Sequence, residues 1–160
     1  MIIRDFQKND LKAVEEIFTL YWTDQKFLKE LSDKLNTHAG QTEECVNEKY
    51  RFFVAEEKSE IVGIAGFRNA PNYLKLRAKT NNPAELYILA AKYNNRGIGK
   101  EFELKIAEEA KNLGFTEMIL YSPNSHEESW GFYEKSGFEK GGEVIAPDDG
   151  EPGQVWRKTL

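Results

Sequence analysis

Residues Ala84 to Gly99 bring together the features needed to hold an anion. The apolar run Leu86-Tyr87-Ile88-Leu89 leads into a polar loop with two glycines, Gly97 and Gly99, and a helical pattern follows from Lys100 to Leu113. A short, aromatic and branched run suits a buried strand. Glycines permit positive φ and close backbone approach, so several N–H groups can aim at one spot. The first turn of the next helix adds unpaired N–H groups and the positive end of a macrodipole. Strand, glycine loop and helix N-terminus together make an anion site, most often for phosphate. Lys92, Arg96 and Lys100 cluster there and can focus positive potential in a chain of net charge −5. Two common phosphate loops fail on spacing. The Walker pattern needs Gly where Asn94 stands and Ser or Thr where Glu101 stands, and the dinucleotide pattern needs a third Gly where Phe102 stands.

The stretch resembles the acyl-CoA loop of the GNAT family of N-acetyltransferases: Arg or Gln, two residues, Gly, one residue, then Gly or Ala, after a central strand. Gly97-Ile98-Gly99 matches the glycine end, Asn94 occupies the first position, and Arg96 supplies a charge two residues later. A second block, Trp130-Gly131-Phe132-Tyr133-Glu134-Lys135-Ser136-Gly137-Phe138, resembles the family's F-Y-x-K-x-G-F segment. The opening Ile2-Ile3-Arg4-Asp5-Phe6 with Asp10-Leu11 resembles the family's first strand and helix. The resemblance implies an α/β fold with a mixed, mostly antiparallel central sheet, flanking helices, and a splayed central strand pair that binds acyl-CoA.

It also implies an acetyl-CoA-dependent N-acetyltransferase acting on the primary amine of a small, cationic acceptor, with acetyl-CoA as cosubstrate. The alternative is a catalytically silent CoA-binding domain of the same fold, which Asn94 at the signature position and His126 at a family Asn position keep open. Carried onto this chain, the pyrophosphate grip is the backbone of Asn94, Asn95, Arg96, Gly97, Ile98, Gly99 and Lys100. The pantetheine arm pairs with the backbone of Ile88 and Leu89, whose N–H polarises the thioester carbonyl, and Asn124 joins the CoA contacts. Tyr133 matches the proton donor to sulfur. With a thiol near 8.5 and a phenol near 10, that transfer is uphill by about 2 kcal/mol. Glu85, where relatives often carry an acid, is the first candidate for the base. It would act through water, because direct transfer from an alkylammonium is uphill by about 8 kcal/mol. His126, intrinsically near 6.5, is the second. Tyr21, Trp22 and Asp24 fall where the fold walls the acceptor cleft. Asp24, Asp148, Asp149 and Glu151, with the acidic balance, favour a cationic acceptor. The resemblance leaves room for a homodimer.

These residues need a scaffold, and 160 residues suffice for one domain with a proper core, taken here as residues 1–160. Charged residues total 22 basic against 27 acidic with no long like-charge block, which argues against a nucleic-acid partner. Arg4, Asp5 and Lys8 follow Met1 too closely for a signal peptide. No 18-residue apolar stretch suggests a membrane span, and one cysteine, Cys45, fits a reducing cytosol. Beside Glu43 and Glu44 its thiolate is disfavoured, so an inert thiol is expected. No His, Cys and carboxylate spacing indicates a metal site, and His38 reads as structural or exposed.

Residues 2–6 read as a strand. Asp10 is expected to cap a helix burying Leu11, Val14, Ile17 and Phe18, and Phe27, Leu28, Leu31 and Leu35 mark a second helix ending near Gly40. A short helix is expected through 42–49. Tyr50 to Glu56 and Ile61 to Phe67 read as a hairpin about Glu57-Lys58-Ser59-Glu60, with Gly63 and Gly66 marking a bulge or a close approach. Pro71 to Pro83 reads as an extended edge carrying Lys75, Arg77 and Lys79. The helix after the loop turns Phe102, Leu104, Ile106, Ala107 and Ala110 inward and stops at Gly114. Then come a strand to Tyr121, a break at Ser122-Pro123-Asn124, a helix from Glu127 to Ser136, short strands at 138–139 and 144–145 separated by Gly141 and Gly142, and a last strand at 155–158.

Overall fold

A computed structural model describes residues 1–41, 50–147 and 150–160. Among the described residues seven strands and five α-helices follow in the order β1 (Ile2–Asp5), α1 (Leu11–Phe18), α2 (Gln25–His38), β2 (Tyr50–Glu57), β3 (Glu60–Asn69), α3 (Asn72–Lys75), β4 (Pro83–Ala91), α4 (Ile98–Asn112), β5 (Glu117–Pro123), α5 (Trp130–Lys135), β6 (Glu139–Ile145) and β7 (Pro152–Thr159). Their hydrogen-bonded order is β1-β2-β3-β4-β5-β7-β6. The ladders β1–β2, β2–β3, β5–β7 and β6–β7 are antiparallel, and β4–β5 is parallel. This is the mixed, mostly antiparallel, helix-flanked sheet that the resemblance implied. The residues form two compact units, Met1–Arg68 with Tyr87–Ile106 and Asn69–Leu86 with Ala107–Leu160, so β4 and α4 each belong partly to both.

In the first unit the apolar stripes of α1 and α2 bury Val14, Ile17, Phe18, Leu31 and Leu35 against Phe52, Val54, Ile64, Ile88 and Ala90. Strand residues alternate faces, so Gly63, next to Ile64, faces the other way. A Cβ there would come within 2.7 Å of the Phe102 ring and 3.0 Å of Ile98, so the missing side chain lets α4 lie close on β3. The ladder also shifts register between Ala55, which faces Gly63, and Glu56, which faces Ile61, so Val62 is the extra residue of a bulge and Gly63, beside it, marks the close approach. Lys58 and Ser59 adopt φ of 51° and 65°, the left-handed pair of a tight hairpin turn.

Asp10 does not cap α1. It lies in a helical conformation with no capping bond, and its carboxylate instead accepts two bonds from the Arg4 guanidinium, 2.8 and 2.9 Å, and one from the Gln7 N–H, 2.9 Å. Burial disfavours its charged form, yet these bonds outweigh burial and hold its pKa below the usual carboxylate value. A depressed folded pKa means stability that is present above the unfolded pKa and lost as pH falls through the folded one. Asp10→Asn should therefore cost about 1–3 kcal/mol in urea unfolding at neutral pH. It should also flatten the acid limb of the stability curve below about pH 4. An unchanged acid limb would show that Asp10 is not the linked group.

The second unit centres on β5 and β7, with Ala70, Leu74, Ile119 and Val155 in one cluster. Residues 71–83 are not an extended edge. Pro71 takes an extended conformation and its carbonyl accepts from the N–H groups of Leu74 and Lys75, so a helical turn forms. Leu74 is fully buried while Leu76 is 84% exposed, which alternation in a strand would not allow. The cations there serve packing: Lys79 pairs with Glu139, and the Arg77 side chain donates to the Glu143 carbonyl.

Gly141 and Gly142 do not separate two strands. They lie inside a continuous β6, at a bulge opposite Val155 and Trp156. The helix expected from Glu127 begins as a 3-10 segment, Asn124–Ser129, and becomes α-helical only at Trp130. On α4, Leu104 points outward, 50% exposed, and Glu103 takes the buried position. The short helix expected at 42–49, with Cys45, Glu43 and Glu44, lies outside the described residues. So do Asp148 and Asp149.

Candidate active site

Strand β4 is fastened where it ends. The Lys92 N–H donates to the Val62 carbonyl at 2.8 Å, and the Tyr21 hydroxyl donates to the Ala91 carbonyl at 2.5 Å. The chain then turns through Asn95 at φ 59° and Gly97 at φ 76° into α4. Asparagine tolerates this region and glycine is at home in it. The first inward bond of the helix is Glu101 N–H to the Gly97 carbonyl, 3.1 Å. Among the described residues no carbonyl or side chain accepts from the N–H groups of residues 94–100. A Cβ built on Gly97 has no heavy atom within 4 Å, so the loop is open at Gly97. Seven donors at the head of a 15-residue helix suit a multiply charged phosphate group.

The three cations near the loop are already paired. Arg96 Nη2 lies 2.6 Å from Glu57 Oε2, Lys92 pairs with Glu60, and Lys100 Nζ lies 2.8 Å from the buried Glu103 carboxylate. Lys92 is raised and Glu60 lowered in pKa, each chiefly by its hydrogen bond to the other. The Arg96 guanidinium also sits over the Tyr93 ring at 4.9 Å. The sequence locates the cations but presents Glu57 and Glu60 only as the ends of a turn. The partnership of Glu57 with Arg96 spans 39 residues, so no local spacing announces it.

Of the pantetheine candidates, Ile88 is buried in the core facing α1 and α2, and Leu89 is half-buried. The parallel ladder of β4 with β5 covers only Pro83–Glu85 and Glu117–Ile119, after which it stops. The residues expected to meet the acceptor divide into different roles. Tyr21 is partly exposed and holds the end of β4. Trp22 is an aromatic of the core margin, edge-on to Phe18 and Phe27 at 5.8 and 5.5 Å. Asp24 is exposed and caps α2, accepting from the Lys26 N–H at 3.0 Å. His38, at the end of α2, packs its ring against Tyr50 at 5.3 Å.

In the second unit Tyr133 lies among aromatic rings, 5.6 Å from Phe132, 6.0 Å from Phe138 and 5.9 Å from Trp156. Among the described residues its hydroxyl has no hydrogen-bond partner. Desolvation by this surrounding pushes its pKa up to about 12. Trp156 is buried, and its indole N–H likewise has no acceptor among the described residues. Trp130 is held by its indole N–H donating to Ser122 Oγ at 3.0 Å, which fixes the start of α5. Glu85 is buried on β4, opposite Ile119. His126 is half-buried at a kink in the 3-10 segment, with φ −112° and ψ 31°, and Asn124 is exposed at its start. Glu151 accepts from the Ser125 N–H at 3.3 Å. Among the described residues no group of three His, Cys, Asp or Glu side chains converges as a metal site would require. No helix among them is long and apolar enough to cross a membrane.

Comparison with known proteins bears on this arrangement. No curated protein matches the chain. Among solved structures, a protein assigned to the GNAT family from Desulfovibrio desulfuricans is similar with a TM-score of 0.76 at 18% identity, covering 99% of this chain and 98% of that one. The aminoglycoside 6′-N-acetyltransferase of Enterococcus faecium gives a TM-score of 0.71 at 17% identity, covering 99% and 97%. The PaiA N-acetyltransferase of Thermoplasma acidophilum, in complex with coenzyme A, gives 0.66 at 19%, covering 99% and 98%. At these identities the likeness shows the fold. The model of the acetyltransferase (GNAT) family matches residues 11–138, taking in the glycine loop, α4, β5 and the whole of α5, and the chain therefore belongs to the GNAT family of acetyltransferases.

Proposed function

We propose that this chain is an acetyl-CoA-dependent N-acetyltransferase, acting as one catalytic domain in the cytosol on the primary amine of a small acceptor that is cationic at neutral pH. The observation that carries the reading is the run of N–H groups at residues 94–100 that have no acceptor among the described residues, in a turn with two left-handed residues at the head of α4. The coenzyme A complex of the Thermoplasma protein and the aminoglycoside 6′-N-acetyltransferase identity of the Enterococcus one support it.

In this reading the loop N–H groups donate to the pyrophosphate, and the backbone of Ile88 and Leu89 aligns the pantetheine arm and thioester. The amine loses its proton through water to Glu85 or His126, and its nitrogen attacks the thioester carbonyl. The carbon–sulfur bond then breaks, the departing thiolate takes the proton of Tyr133, and the proton that the new amide nitrogen sheds restores the phenol. Of the acids that favour a cationic acceptor, Asp24 accepts from the Lys26 N–H and Glu151 from the Ser125 N–H, so each already holds a backbone donor.

Calorimetric titration with CoA, followed by thiol release from acetyl-CoA over polyamines, aminoglycosides, amino acids and peptide N-termini, tests each level. Saturable CoA binding and turnover with a cationic amine are expected. Absence of CoA binding would remove the whole reading. Binding without turnover on any acceptor would leave a CoA-binding module, and a best acceptor that is neutral or anionic would remove the cationic preference.

A further inference from the structure

The hairpin of β2 and β3 places two carboxylates on the loop's own cations. Glu57 and Glu60 are direct cross-strand partners at the end of the ladder. Like charges held opposite one another repel, and Lys58 and Ser59 between them are both forced into the left-handed region by the tight turn. What offsets the repulsion is the glycine loop: Arg96 pairs with Glu57, Lys92 pairs with Glu60, and the Tyr93 hydroxyl adds a bond to Glu60 at 3.2 Å. Two positive and two negative groups therefore cancel beside the seven unpartnered N–H groups.

We infer that Glu57 and Glu60 act as an internal competitor for the anionic ligand of this loop, setting its affinity below what Arg96 and Lys92 would otherwise give. Both cations are long, flexible and about half exposed, so they can leave the carboxylates for a phosphate. Doing so leaves Glu57 and Glu60 facing each other uncompensated and close to the incoming negative charge. Each phosphate contact made by a cation is thus offset by an ion pair lost. The inference rests on the reading of the loop as a CoA site, and it specifies which residues limit that site.

The test is calorimetric titration of the whole protein with CoA, in wild type, Glu57→Gln, Glu60→Gln and the double variant, with thermal melting on each. If wild type fails to bind CoA, the functional reading falls and with it the ground for this one. If wild type binds, the double variant should bind more tightly, by about 2- to 25-fold, since each exposed pair is typically worth a factor of about 1.5 to 5. Equal or weaker binding in a double variant that melts normally would overturn the competition and leave the carboxylates as mere positioners of the cations. A second arm does not depend on the double variant. Arg96→Ala should weaken CoA binding more in the Glu57→Gln background than in wild type, because only there is the guanidinium uncommitted. Equal losses in the two backgrounds would also overturn the inference. Dephospho-CoA run in parallel shows whether the gain requires the 3′-phosphate or the pyrophosphate alone.

Discussion

Tyr133→Phe should lower turnover by about 10²–10⁴-fold, the usual contribution of a general acid, while leaving CoA affinity nearly unchanged. The hydroxyl is proposed to act only as the carbon–sulfur bond breaks, so its loss should appear in kcat and kcat/KM alike and not in ground-state binding. The ring stays, and with it the packing against Phe132, Phe138 and Trp156. Burial changes the energetics expected from sequence. With the phenol pushed up to about 12, transfer to a thiolate near 8.5 is uphill by about 5 kcal/mol instead of 2. The step works only if the proton moves as the thiolate forms, when sulfur is more basic in its unsolvated site than in water. The same burial moves the alkaline limit. A phenol of ordinary pKa would lower the rate from about pH 10, whereas here the hydroxyl stays protonated until near 12, so the Tyr133 limb should be absent from profiles taken up to about pH 10.5. A rate that falls with an apparent pKa near 10 in wild type, and not in Tyr133→Phe, would contradict the buried setting. A stable Tyr133→Phe variant keeping half or more of wild-type turnover would end the general-acid proposal.

What the sequence disclosed depended on how local the determining physics is. Gly114 stops α4 as its place in the pattern predicts, at φ 92°, with Gly114 N–H to Lys111 and Phe115 N–H to Ala110, the two bonds of a Schellman end. Gly97 is left-handed, as a glycine in a strand-to-helix loop is expected to be. Both features are decided within a few residues. Residues 71–83 mislead because Leu74 and Leu76 alternate with charges, and four or five residues cannot distinguish a strand from one helical turn. The deciding factor is Leu74 burying against Ile119 and Val155 from elsewhere in the chain. Asp10 has the local neighbours of a cap, but Arg4 offers a charged, bidentate alternative and wins. On α4 the pattern could not foresee that Glu103 would be buried with Lys100 as its partner while Leu104 stayed outside. The candidate site divides on the same line. Its backbone donors were legible from the glycines, whereas the carboxylates that occupy its cations come from the distant β2–β3 hairpin.

Substitution of Gly97 should weaken CoA binding by tenfold or more in Gly97→Val, and less in Gly97→Ala. Two effects combine in that number. At φ 76° a side chain is strained, by about 1–2 kcal/mol, and relief of the strain rotates the neighbouring N–H groups off their common target. The Cβ itself projects into the open space that the loop backbone faces, where a phosphate would need to approach. Because nothing in the protein lies within 4 Å of it, the fold should suffer the strain alone, a fall in Tm of about 2–4 °C per kcal/mol for a chain of this size. Gly114→Ala supplies the control. Gly114 has the same left-handed habit, with φ 92° and no atom within 4 Å of where a Cβ would stand, but it lies at the opposite end of α4. It should therefore lose a similar amount of thermal stability with CoA affinity unchanged. If Gly97→Val binds CoA as well as wild type, the loop backbone is not the phosphate site. If Gly114→Ala weakens CoA as much as Gly97→Ala does, the loss reports general destabilisation and not the loop. Only a loss confined to Gly97 ties the ligand to the backbone of residues 94–100.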